Sequence, residues 1–178
     1  MTETSFRRLD AAVVALLLIW IGMGLGFGAL TAPLLFKWLP TRDMAGSMAG
    51  RIVERLDWAA WLAFGLALLL GFGSRWLNEI DDAEPIGPLR LWTATALAAL
   101  LFCFTSSFIV SPKLHELRSR IVVPIEDLAP ENPDRKAYDK AHGLSRNLFF
   151  LRLLLAAGMA LGASHLPRKA VDTSGAEA

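Results

Sequence analysis

The chain has 178 residues, of which 54% are hydrophobic and 20% charged, with a net charge of +1 and one cysteine. Its mean hydropathy is +0.43, beyond the apolar share of an ordinary soluble domain. The balanced charge gives no global field for nucleic acid, and the single Cys103 excludes an intrachain disulfide and any multi-cysteine metal site.

The apolar residues come in blocks. Residues 11–36, 58–74 and 91–112 carry no charge, and 147–164 are broken only by Arg152. A spanning helix needs roughly 17–25 mostly apolar residues, and a segment in lipid must satisfy its own backbone groups. The expected fold is therefore all-α: an integral membrane four-helix bundle forming one domain over residues 1–167. Its spans lie at about 10–36, 56–76, 89–112 and 145–165, with a polar tail at 168–178 read as disordered.

In the first span, Arg7 and Arg8 precede the apolar run and Trp38 follows it at interfacial depth. A cleavable signal peptide is the competing reading, but this run is longer than a signal core and "ALTA" is followed by Pro33. "LPTRD" reads as a turn, with Thr41 as N-cap and Asp43 in the first turn of the second helix. That helix is longer than a membrane. It carries Arg51, Glu54, Arg55 and Asp57 before its apolar part, and Trp76 marks its far end. "NEIDDAEPIGP" is a short acidic loop; Pro88 suits the first turn of the third helix and Trp92 its interfacial anchor. Pro112 should kink or end the buried part of that helix. Residues 121–134, with three prolines, read as an irregular loop, and "RKAYDKAHGLSRN" leads into the fourth helix.

Arg7, Arg8, Arg75, Arg90, Arg168 and Lys169 lie on the side of the termini, while the basic residues of 37–55 and 113–152 lie towards the other. The positive-inside rule then places the 37–56 and 113–146 regions in the cytoplasm and both termini outside, in a bacterial inner membrane.

Gly22 and Gly26 are four apart, as are Gly24, Gly28 and Ala32, giving two small-residue strips on nearly opposite faces of the first helix. Gly158 and Gly162 repeat the spacing in the fourth. Such strips let backbones approach closely in lipid, so they read as packing seams of an internal helix, or as a face for a homodimer or another membrane partner. No strand–loop–helix context makes them a phosphate loop.

Arg152 lies inside an apolar span, where an arginine at the helix centre costs about 2.5–3.5 kcal/mol on insertion scales. It snorkels to the interface or pairs with Asp57 or Glu54. A pairing would gather Arg51, Arg55, His142, Ser145 and Arg146 into a charged cluster that locks helices, binds an anion or relays protons. His115 and His142 flank the cytoplasmic loop as candidate haem or metal ligands, although a solvated interfacial histidine is commoner, and no cofactor is expected. Thr105, Ser106 and Ser107 are hydroxyls placed to bond backbone or another helix.

"WIGMGLGFGALTAPLLF", "AGSMAGRIVERLD" and "SPKLHELR…YDKAHGLSRN" together resemble one family. Trp20, Gly22, Ala32, Pro33, Phe36, Ala45, Gly46, His142 and Ser145 carry the likeness. It is the small four-helix membrane family known as domain of unknown function 4149, which is related to the eukaryotic transmembrane protein 205. Tyr138 stands where that family often has a phenylalanine-like residue. The resemblance implies a four-helix membrane fold and names no reaction. The eukaryotic relative is associated with resistance to platinum drugs. The fold is also similar to copper-resistance membrane proteins and a haem-dependent protoporphyrinogen oxidase, although methionine-rich copper motifs are missing from this sequence. Three readings follow: a non-enzymatic protein handling a small solute or stress agent, a haem- or metal-binding redox protein, and a structural subunit packing through its glycine faces.

Overall fold

The architecture comes from a computed structural model that describes residues 3–73 and 87–166. Four helices, α1 (Thr4–Trp38), α2 (Arg42–Gly73), α3 (Gly87–Arg120) and α4 (Pro133–Gly162), are each long and apolar enough to cross a membrane. No strand occurs among the described residues. Each helix packs against its neighbours in sequence, and α4 closes the ring against α1. The acidic loop, Trp76 and the polar tail lie outside the described residues.

The helices have 30 to 35 residues, about 45–50 Å of axial rise against a hydrocarbon core of about 30 Å. Each therefore continues beyond the lipid. Local chemistry sets their starts. Thr41 accepts a hydrogen bond from the Met44 N–H at 3.2 Å, and Asp43 lies in the first turn of α2. Asn132 caps α4 by accepting from the N–H groups of Asp134 and Arg135 at 2.9 and 3.4 Å, with Pro133 at the first helical position. Helical structure thus reaches into the segment read from sequence as loop.

Pro33 and Pro112 both sit inside continuous helices. Each follows a widened π turn, Phe27–Thr31 and Thr105–Val110, in which Ala32 N–H bonds to Phe27 O and Ser111 N–H to Ser106 O. A proline in a regular helix removes a donor and crowds the carbonyl four residues back; a wider turn just before it leaves room for the ring. Pro112 consequently does not end the buried part of α3. That helix runs on to Arg120, and Leu117 is buried.

One stripe of each helix faces the core. On α1 it is Phe6, Asp10, Val13, Leu17, Trp20 and Gly24, a spacing near 3.5 residues. On the other helices the small buried residues are mostly alanines: Ala45, Ala60, Ala63 and Ala67 of α2, Ala96 and Ala99 of α3, and Ala156 of α4. They do the close packing that the sequence assigned to glycines. The two-seam reading of α1 is corrected accordingly. A Cβ on Gly24 would meet Leu153 Cδ2 at 2.9 Å and Phe149 Cζ at 3.2 Å, whereas one on Gly22, Gly26, Gly28 or Gly158 would meet nothing within 4 Å. Gly162 does have a neighbour, with Trp92 Cδ1 3.4 Å from such a Cβ. Ala32 is half-buried and Pro33 exposed.

The tightest glycine is one the sequence did not single out. A Cβ on Gly71 would lie 2.5 Å from the Trp92 ring. Trp92 is not an interfacial anchor: its side chain is buried, and its indole N–H donates to Met159 O at 3.0 Å. The expectation failed because position alone cannot say whether a tryptophan near a helix end faces lipid or the bundle.

A buried ion-paired centre

Asp57 projects from α2 just after Leu56, at the point where the helix turns from charged to apolar, and Arg152 projects from α4. These helices stand diagonally across the ring, and their side chains meet in its middle. Arg152 Nη2 donates to Asp57 Oδ1 at 2.6 Å, and Arg152 is 0% exposed. The second carboxylate oxygen, Oδ2, accepts from the Ser106 hydroxyl of α3, also at 2.6 Å. Arg152 Nε donates to Leu148 O, one turn back on its own helix, at 3.3 Å. Cys103 Sγ lies 3.7 Å from Nη1, and the Phe149 ring centroid 5.9 Å from the guanidinium carbon.

α1 completes the enclosure through Trp20. Its indole N–H donates to Leu56 O at 3.2 Å, beside Asp57, and its ring packs on Phe64 and Phe149 with centroids 5.3 and 6.2 Å away. All four helices therefore contribute to one buried polar centre. The π turn in α3 presents two successive hydroxyls to α2: Ser106 reaches Asp57, and Ser107 accepts from the Trp61 indole at 3.3 Å. Thr105 instead bonds back to Leu101 O at 3.0 Å.

The arrangement can hold charge in a low-dielectric interior because both ions are paired and further hydrogen-bonded. It presents no bare acid, base or nucleophile: Asp57 is held by two donors, and the buried Cys103 faces the guanidinium.

The wider cluster anticipated around this pair does not assemble. Glu54 turns aside to bond His115, while Arg51, Arg55, His142 and Arg146 are exposed and Ser145 is half-buried. His142 stacks on Tyr138, with centroids 6.0 Å apart and ring planes within 3°. The two histidines proposed as ligands thus have other partners. Among the described residues no three His, Cys, Asp or Glu side chains come together to hold a metal. Cys103, Ser106, Trp20 and Leu148 are members of the centre that sequence reasoning did not join to it. Spacing gave a weak signal for two of them, since Cys103 and Ser106 lie three apart on the buried stripe of α3.

The family model described as "Domain of unknown function (DUF4149)" matches residues 15–121, more than half of the chain. The chain belongs to this family. The match takes in Trp20, Asp57, Cys103 and Ser106 and stops before Arg152. An uncharacterized protein of Aquifex aeolicus (strain VF5) is 27% identical over 152 residues, covering 85% of this chain and 94% of that one. No solved structure matches the chain significantly.

Proposed function

We propose that this DUF4149 protein is a non-enzymatic, multi-pass protein of the bacterial inner membrane that handles a small solute or stress agent, with the Asp57–Arg152 pair as its movable centre. The observation that carries this reading is a fully buried ion pair bridging the diagonal of a lipid-spanning bundle. Ionisable groups at membrane depth are costly, and they characteristically mark solute, ion or proton routes. A pair of this kind is also a poor source of net stability compared with apolar packing of the same volume. A bundle needing only to stay closed would do as well with leucines.

The direct test is flux. Proteoliposomes are challenged with a panel of small anions, cations and neutral solutes, and volume change is followed by light scattering. The reading expects at least one solute to cross faster than in empty vesicles, and to lose that advantage in Asp57→Leu/Arg152→Leu. Equal rates for wild type and empty vesicles across the panel overturn it. The topology is tested with Val122→Cys in a Cys103→Ala background. Val122 is 96% exposed, so an impermeant maleimide should label it in lysed cells and spare it in intact spheroplasts.

A second reading, a structural subunit, draws support from the outward glycines. Gly22, Gly26 and Gly28 have open space at their Cβ positions, which suits a partner helix from a second copy. Disulfide trapping of Gly22→Cys in native membranes separates this reading from the first, since a solute-handling monomer gives no cross-linked dimer.

A further inference from the structure

A different feature lies on the outer face of α2. Met44, Met48, Arg51, Arg55, Trp58 and Leu62 are exposed and recur at alternating spacings of four and three, which places them on one stripe. Trp58, 61% exposed, has the amphipathic ring that settles at headgroup depth. Arg55 and Arg51 follow it towards the charged end of the helix, about 4.5 and 10.5 Å further along the axis. The two guanidiniums thus interrupt an apolar stripe that resumes beyond them at Met48 and Met44.

The acidic side chains of α2 and α3 at this end of the bundle are engaged elsewhere. Asp43 pairs with Arg118, Glu54 with His115, and Glu116 with Lys113 and Arg120. Among the described residues, no ion pair includes Arg51 or Arg55. The neighbouring end of α1 also exposes apolar side chains, Leu34, Phe36 and Trp38, with Lys37 among them. This corner therefore combines apolar surface with cations that no ion pair among the described residues includes, whereas α3 and α4 carry the pairs Lys113–Glu116, Glu116–Arg120 and Arg135–Asp139 at the same end.

We propose that the outer face of α2 is a binding site for an anionic phospholipid, its phosphate held by Arg51 and Arg55 and its acyl chain lying along Trp58 and Leu62. Guanidinium forks match phosphate oxygens two at a time, and Trp58 and Leu62 anchor this face at the level where a lipid's headgroup meets its chains. The proposal rests on the membrane assignment and is independent of the solute reading, whose readout is flux.

Native mass spectrometry of the full chain in neutral detergent, with added phosphatidylglycerol or phosphatidylcholine, provides the test. Wild type should retain phosphatidylglycerol under activation that strips phosphatidylcholine. Each arginine removed should weaken retention about fivefold, so Arg51→Gln/Arg55→Gln should lose it about 25-fold while keeping the wild-type melting temperature. Lys136→Gln/Lys140→Gln, also exposed but on α4, should behave as wild type. Equal retention of the two lipids, an undiminished signal in the arginine variant, or full displacement by equimolar inorganic phosphate overturns the proposal. So does a dimer that the arginine variant dissociates, since the face would then be covered by a second copy.

Discussion

Arg152 and the Arg51–Arg55 pair are the same residue type in one bundle, yet the structure uses them in opposite ways. Arg152 is wholly enclosed, with an ion partner, a backbone carbonyl, a sulfur atom and an aromatic ring around it. Arg51 and Arg55 face outward with no ion pair among the described residues. A cation in the interior must bring its counter-charge with it, because no water can supply one. A cation at the rim is already solvated and remains available to an external anion. The same guanidinium therefore acts as an internal link in one place and a docking point in the other.

Removing the internal counter-charge should have the largest effect. Asp57→Ala strands Arg152 and should cost about 3–5 kcal/mol, read as lower thermal stability in detergent. Asp57→Leu/Arg152→Leu removes both charges and should recover most of that loss, which separates stability from solute handling. An Asp57→Ala protein as stable as wild type would mean that Arg152 finds another counter-charge inside the bundle.

Crowding the core comes next. Gly71→Ala drives a methyl group into the Trp92 ring and should cost about 1–3 kcal/mol. Gly22→Ala meets open space and should leave thermal stability unchanged or raise it by up to about 1 kcal/mol through helix propensity. Equal losses in the two variants would restore the two-seam view of α1. Ser106→Ala leaves one Asp57 oxygen without its donor and should cost about 1.5–3 kcal/mol, the range for a hydrogen bond to a charged group. The smallest effect is expected at the rim, where Arg51→Gln/Arg55→Gln should shift stability in lipid-free detergent by no more than about 0.5 kcal/mol.

The two kinds of arginine also show how far the sequence could be read. That Arg152 requires an explanation follows from an apolar run interrupted by a single charge, and Asp57 was one of two partners open to it. Choosing Asp57 over Glu54 required knowing which face of α2 points inward: Asp57 falls on the buried stripe, while Glu54 turns towards His115 on α3. Ser106 and Cys103 lie 49 residues from Asp57 and Arg152 respectively, and no local pattern announces such a meeting. The glycines misled for a related reason. Small-residue spacing shows that a face permits close approach, and only the neighbouring helices decide whether anything approaches. For α1 they do so at Gly24 and leave Gly22, Gly26 and Gly28 open.

By itself, then, the sequence determined the class of molecule: four apolar blocks of spanning length, separated by charged or proline-rich stretches, leave a helical membrane bundle as the way to satisfy the backbone in lipid. It also determined local features, including the Thr41 cap, because caps depend on residues a few positions apart. The tertiary structure alone decided which tryptophans turn inward, which glycine gives room to a ring, and which carboxylate faces Arg152. Those outcomes depend on the rotation and register of one helix against another, and these are set by packing among residues tens of positions apart in the chain.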